Sequence, residues 1–385
     1  DCAGTAHVGT VCDEVPVCEP ACLHGGACVD HDTCDCSTTL YGGQWCHEFD
    51  PPIGYCRSHI CWRVPPTSQD LCYGDGGNGA VIACPTGVPA NCRQVNPENC
   101  CGQDAQYPNT ERTFTCLNLS GPDPTPCGLN AAEHEVVTDS LTGLIWQRTF
   151  TEKMNHSNAT AYCSSLNYAN MDDWRLPTLH ELHSLIHSDR FSPCIDTAMF
   201  PGNPNEYFWT EDPTTGSPFV VWFTNGHVDL DGSTNQWPVR CVRGGPPSTN
   251  RNDGTVIRYL QTEDIQGEVI VTDTITGLDW QGSYTKANDW NQALKMCEAL
   301  TYGGLSDWRL PDRNELVSLM IPGTTASDFP GMPRNRFWSS TSRAFNPTMT
   351  REAWYVSFGY GRVQLVFKGG GDGMSYYVRC VRGGP

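Results

Sequence analysis

The first 130 residues contain no lysine and only 4 arginines, against 15 acidic residues, a net of −11. Residues 131–245 are also acidic, with 6 basic and 14 acidic side chains. Residues 246–385 balance at 14 and 14, and the whole chain stands at −19. Nucleic acid and anionic membrane both need a basic footprint, so this balance excludes them as partners. It leaves room for cation binding, for solubility alone, or for a head-to-tail contact between unlike ends. Other absences narrow the class. Charged residues reach only 17%, too few for a disordered acidic chain. The 38 glycines have no collagen-like period. No run approaches the ~20 apolar residues of a membrane span, so no membrane insertion is expected. No G-x-S-x-G or H-E-x-x-H motif and no convincing pair of catalytic carboxylates occurs.

What is abundant is cysteine. There are 22, of which 17 precede residue 130. At this density, without zinc-type spacing, cysteine means disulfides and an oxidising compartment, which points to an extracellular or cell-surface setting. Asp1 reads as the end left when a signal peptide is removed. The front third should be stapled and loop-rich, and the remainder should carry hydrophobic cores. Cys2 and Cys12 are expected to close a small loop over 1–17. Cys18, Cys22, Cys28, Cys34, Cys36 and Cys46 follow as C-x3-C-x5-C-x5-C-x-C-x9-C, with Gly25-Gly26 and Tyr41-Gly42-Gly43 at turn positions. This series, over 18–46, resembles an EGF-like module. The resemblance implies the pairs Cys18–Cys28, Cys22–Cys34 and Cys36–Cys46. The acidic cluster of the calcium-binding variety is missing before Cys18.

The second half is duplicated. Val137-Thr138-Asp139 to Gln147 reads VTDSLTGLIWQ, and 271–281 reads VTDTITGLDWQ, an offset of 134. The same offset carries Cys163 onto Cys297, Trp174-Arg175-Leu176-Pro177 onto Trp308-Arg309-Leu310-Pro311, and Glu181 onto Glu315. V-R-C-V-R-G-G closes both copies, at 239–245 and 378–384. A period this long means tandem domains. In each copy the first motif predicts a hairpin with a buried Trp (Trp146, Trp280). A helix carrying the first cysteine follows, over 159–166 and 290–300. After W-R-L-P comes a second helix with a capping box, Thr178 to Glu181 and Asp312 to Glu315. Leu179, Leu182, Leu185 and Ile186 form its apolar face in one copy, and Leu316, Leu319 and Met320 in the other. Short aromatic strands complete each copy at 208–209, 220–222, 353–356 and 362–366. The plan is α+β. Cys163–Cys241 and Cys297–Cys380 are expected to staple the first helix to the last strand.

The set T-G-L-x-W, W-R-L-P-x-x-x-E-L and V-R-C-V-R-G resembles the Lcl C-terminal domain family, named from a bacterial collagen-like adhesin. The leader of that family is matched by Pro66-Thr67-Ser68-Gln69, Cys72-Tyr73, Cys84-Pro85 and Gly102 to Tyr107, so the resemblance spans 64–385. It implies a fold like C-type lectins and formylglycine-generating enzymes, a Cys72–Cys84 bond and a bacterial surface or secreted setting. The expected organisation is a loop at 1–17, an EGF-like module at 18–46 and a Cys-rich leader at 47–130 packed on the first repeat. Two C-type-lectin-like domains follow at 131–245 and 246–385. Cys56, Cys61, Cys92, Cys100, Cys101, Cys116, Cys127 and Cys194 have no assigned partners. An even total lets all 22 pair, with Cys194 bridging back to the leader.

His180, His183 and His187 lie on the second predicted helix of the first copy, at i, i+3 and i+7, and could ligate a metal. An exposed polar helix face is the simpler reading and the one adopted. Arg175 and Arg309 could bind a ligand carboxylate or sulfate, or serve as partners of Glu181 and Glu315; the second use is favoured. Asp229-Leu230-Asp231-Gly232 and Asp70 to Asp75 offer oxygens for calcium but match no full loop pattern, so no cofactor is called for. Asn118, Asn155 and Asn158 head glycosylation sequons. The expectation is a secreted, non-catalytic surface protein that self-associates head to tail as the structural subunit of an extracellular filament. The alternative is an adhesin binding host proteins or glycans, with Arg334, Arg336, Arg343, Arg351 and Arg362 as the patch for a sulfated glycan. An enzyme on a formylglycine-type scaffold would need reactive thiols, and the C-terminal cysteines are already assigned as staples.

Overall fold

The structure is a computed structural model. It describes 64–72, 102–107, 112–119, 125–128, 134–202, 205–211, 217–244, 258–264, 266–320, 327, 329–343, 351–370 and 373–383, and the backbone alone of 27–30, 33–35, 73 and 81–82. The pairings expected within 1–17 and 18–46 lie outside the residues described in full. The backbone there forms a small antiparallel hairpin, β1 (Ala27–Asp30) with β2 (Thr33–Asp35), in which Cys28 stands opposite Cys34. β3 (Cys72–Tyr73) pairs with β4 (Val81–Ile82). Cys72 is disulfide-bonded, and Cys84 lies outside the described residues.

Two strands ahead of residue 131 join the sheet of the first repeat. β5 (Phe114–Asn118) and β6 (Thr125–Pro126) are joined by the bond Cys116–Cys127. β5 then pairs along its whole length with β7 (Glu135–Asp139), which turns back into β8 (Ile145–Gln147). Next come helix α1 (His156–Ser164), helix α2 (Leu179–His183), the strands β9 (Tyr207–Trp209), β10 (Phe219–Trp222) and β11 (His227–Leu230), and β12 (Val242–Arg243), which returns to β8. The second repeat follows the same plan. β13 (Tyr259–Glu263) pairs with β14 (Val269–Asp273), then β15 (Leu278–Gln281) and β16 (Thr285–Ala287). α3 (Trp290–Glu298), α4 (Arg313–Ser318), β17 (Arg336–Ser342), β18 (Glu352–Ser357), β19 (Arg362–Phe367), β20 (Tyr376–Val378) and β21 (Val381–Arg382) complete it. The class is α+β and rich in sheet, with short helices.

Local chemistry accounts for the helix starts. Asn155 and Asp289 cap α1 and α3 by accepting the amide N–H of Asn158 and Gln292. Thr178 with Glu181, and Asp312 with Glu315, form full capping boxes on α2 and α4. α1 begins three residues before its expected start, where the Asn155 side chain accepts the Asn158 amide. α2 stops at His183, so His187 lies beyond it.

The two repeats are not beads on a string. β9–β11 of the first and β16–β20 of the second form one eight-stranded sheet, in the order β16-β20-β17-β18-β19-β11-β10-β9. β11 and β19 meet antiparallel at Val228 and Val363. A single apolar core lies under the sheet and draws on both copies: Trp146, Phe208, Phe219 and Val228 with Trp280, Phe337, Val356 and Val363. Two satellite cores pack α1 on one end of the sheet and α3 on the other.

The described part of the leader reaches both repeats: β5 lies against the first, and the segment before it grips the second. Gln69 exchanges two hydrogen bonds of 2.9 Å with the backbone of Ser342. Asn314 Nδ2 donates to the Pro65 carbonyl at 2.8 Å. The buried Asp104 carboxylate accepts both the Thr67 and Thr341 hydroxyls at 2.6 Å. Thr67 O also accepts the Ser188 amide of the first repeat at 2.8 Å. The segment therefore straps the two copies together from outside.

Candidate functional site

Repeated residues build repeated anchors. Arg175 makes a two-point pair with Glu181 (2.8 and 2.6 Å) and reaches the Gly244 carbonyl. Arg309 does the same with Glu315 (2.6 and 2.5 Å) and Gly383. Each W-R-L-P arginine thus ties the second helix to the end of its copy. The tryptophan before it donates its indole N–H to a tyrosine carbonyl, Trp174 to Tyr168 and Trp308 to Tyr302. The second arginine pair lies in V-R-C. Arg240 and Arg379 are buried and give one nitrogen to consecutive carbonyls after β8 and β15, at Gln147–Thr149 and Gln281–Gly282. Each guanidinium sits over a phenylalanine, Phe200 at 4.8 Å and Phe329 at 4.5 Å. A third pair escaped the sequence analysis. Arg112 holds Asp139 and the Ser184 carbonyl, and Arg258 holds Asp273 and the Ser318 carbonyl. The Asp of each V-T-D motif was the available signal. The two arginines are not 134 residues apart, since the Cys116–Cys127 insertion displaces one.

The sulfur chemistry differs from expectation at one position. Cys163 is bonded to Cys241 and Cys297 to Cys380. Cys194, expected to bridge back to the leader, is a free, buried thiol. It lies in the shared core, its Sγ 3.1 Å from the Phe223 carbonyl. Burial pushes this thiol up to about 12, so it is protonated and unreactive at neutral pH.

The histidines form neither a metal array nor an exposed face. His183 is 1% exposed. His180 Nε2 donates across the junction to the carbonyls of Val317 and Met320 on the second repeat, at 3.0 and 3.1 Å. Burial holds the His180 imidazole down at about 4, and His227 is likewise lowered to about 4. His183 is pushed well below the usual range by burial and by the charge of Arg313. No group of three or more potential metal ligands occurs among the described residues.

The depressed histidines have a measurable consequence. A folded-state value below that of the unfolded chain means the native protein resists protonation. The stability this confers is present above about pH 6.5 and is lost as pH falls toward 4. Asp104, raised by burial to about 6, works the other way: its contribution is present below the ordinary carboxylate range and lost as pH rises through 6. His180→Gln keeps a side-chain N–H for Val317 and Met320 but cannot titrate. The wild type should therefore lose ground to this variant on acidification from pH 7 to 4, by up to about 3 kcal/mol in urea midpoints. A constant difference across that range would contradict the lowered His180 imidazole.

The five arginines proposed as a glycan patch do not form one exposed set. Arg343 is buried, pairs with Glu352 and stacks on Phe191 of the first repeat at 5.1 Å. Arg362 pairs with Asp229 across the β11–β19 seam at 2.9 Å. Arg336 shares a face of the sheet with Arg362, either side of Ser357, and lies 6.0 Å from the rings of Tyr355, Tyr360 and Tyr376. Arg334 and Arg351 are exposed. Of the two stretches considered for calcium, Asp70 to Asp75 runs outside the described residues, and the oxygens of 229–232 have partners within the chain. Asp231 accepts the Asn235 amide and the Trp237 indole, both at 2.6 Å. Along the outer side of α3 runs an open cleft of about 790 Å³, lined by Asn288, Asn291, Gln292, Lys295 and Lys368.

Two stretches, 135–243 and 269–382, match the Lcl C-terminal domain. No curated protein matches the chain.

Proposed function

Because the chain belongs to the Lcl C-terminal domain family, we propose that it is an extracellular, non-catalytic surface protein that serves as a structural subunit by head-to-tail self-association. The observation that carries this reading is the continuous eight-stranded sheet over one common core. Two copies fused in this way, with a strap across them and a disulfide in each, make a stiff block suited to bearing load. The charge distribution supplies a direction, since the acidic front of one chain meets less repulsion at the neutral second repeat of the next than at another acidic front. β13, which ends the four-stranded sheet of that repeat and exposes Leu260, offers an edge for the contact. A heterologous contact whose rotation does not close into a ring builds a fibre. Formylglycine-type chemistry needs thiols in a cleft. Here the repeat-matched sulfurs are bonded and Cys194 is enclosed and protonated, which supports the non-catalytic reading.

The polar cleft on α3, lined by Asp289 as well as by amides and Lys295, favours a second reading, an adhesin that binds a polar glycan there. Electron microscopy of the native secreted material separates the two. Regular fibres whose axial repeat matches one chain are expected. Isolated particles that bind a glycan array and lose binding on Lys295→Ala would replace the filament reading with the adhesin.

A further inference from the structure

The junction between the repeats contains a charge the fold does not need. At the offset of 134, Arg313 answers Leu179, an apolar core residue. Arg313 is 0% exposed, and none of its three guanidinium nitrogens has a hydrogen-bond partner among the described residues. Its Cζ lies 4.8 Å from the ring centre of Trp354, and His227 packs edge-on to the same ring at 5.4 Å. The Nε2 atoms of His227 and His183 and the Ser188 hydroxyl are buried without partners as well. Gly226 keeps this space open. A Cβ there would stand 3.1 Å from Arg313 Nη1 and 2.8 Å from Ile186.

A guanidinium remains charged under all ordinary conditions and presents five N–H donors. Burying it unpaired costs several kcal/mol, so the site must supply negative charge. The nearby carboxylates are committed elsewhere. Asp104 accepts two hydroxyls, Asp312 caps α4, and Glu315 is held by Arg309. Burial also raises Asp104 and Asp312, which weakens the charge they offer. The Cys194 thiol keeps its proton. Water would satisfy the donors but not the charge.

We propose that the junction holds one small monovalent anion, of the halide class, bound by Arg313 with N–H donors from His183 and His227. A halide suits the site because it accepts hydrogen bonds from any direction and costs less to desolvate than a multivalent oxyanion. Such an ion would pin the first repeat to the second, and its effect does not depend on whether the chain forms fibres.

Crystals of the wild-type protein soaked in sodium bromide and measured at the bromine absorption edge test this directly. The expected result is an anomalous peak within hydrogen-bonding distance of the Arg313 guanidinium. Density for water alone at that point overturns the proposal, as do peaks confined to the protein surface. In solution at pH 7 and constant ionic strength, replacing gluconate with chloride or bromide should raise the melting temperature by several degrees in the wild type. The same exchange should leave Arg313→Met unchanged. An equal halide response in both proteins also overturns the proposal, and if the variant fails to fold the bromide map still decides.

Discussion

Replacing Cys297 and Cys380 together with alanine is expected to cost about 4 kcal/mol of folding stability, read as a lower urea midpoint. The bond joins residues 83 apart, and closing a loop of that length removes about this much free energy from the unfolded chain's advantage. Both sulfurs are buried, so the truncated side chains also leave a small void that adds to the loss. Cys163 and Cys241, 78 apart, should behave alike. Because the repeats share a core, each variant should still unfold in a single transition, the weakened copy taking its neighbour with it. Two well-separated transitions would contradict the common core. A shift equivalent to less than about 1 kcal/mol would show that the entropic account of the staple is wrong.

Arg309→Met is expected to cost 3 to 5 kcal/mol, roughly the loss seen when one partner of a buried ion pair is removed. The figure follows from what stays behind. Glu315 is 4% exposed and would be left with only the Asp312 amide to hold it. Arg309→Met/Glu315→Leu should recover part of the loss, since the stranded carboxylate is then gone. Arg175→Met makes the control. Its side chain is 31% exposed against 11% for Arg309, so water can reach the site and the cost should be clearly smaller. Equal losses at the two positions, measured as urea midpoints, would show that burial does not set the energy.

The duplicated elements were legible because the signals that specify them are local. The capping boxes of α2 and α4, the hairpins around Trp146 and Trp280, and the six-residue spacing of Arg175–Glu181 and Arg309–Glu315 all lie within a few residues of one another in the chain. The third pair was hidden by an insertion: the step from Arg112 to Asp139 is 27 residues, and from Arg258 to Asp273 only 15. The same insertion masked β5 as the partner strand of β7. The histidines were misplaced for a different reason. A polar residue on a short helix reads as solvent-facing unless its partner is known, and the partners of His180 are carbonyls 137 and 140 residues away.

What the sequence determined alone is the repeated unit: its strands, its two capped helices, its buried tryptophans, and cysteines placed where a helix and a closing strand could be joined. Each of those features is encoded twice, so each copy announces it. Only the tertiary structure decided how the copies meet. At the meeting surface the two copies carry unlike residues. Leu179 answers Arg313, and His180 and His183 answer Asn314 and Val317. Side-by-side packing needs complementary faces, not identical ones, and complementarity between distant residues leaves no periodic trace in a single chain.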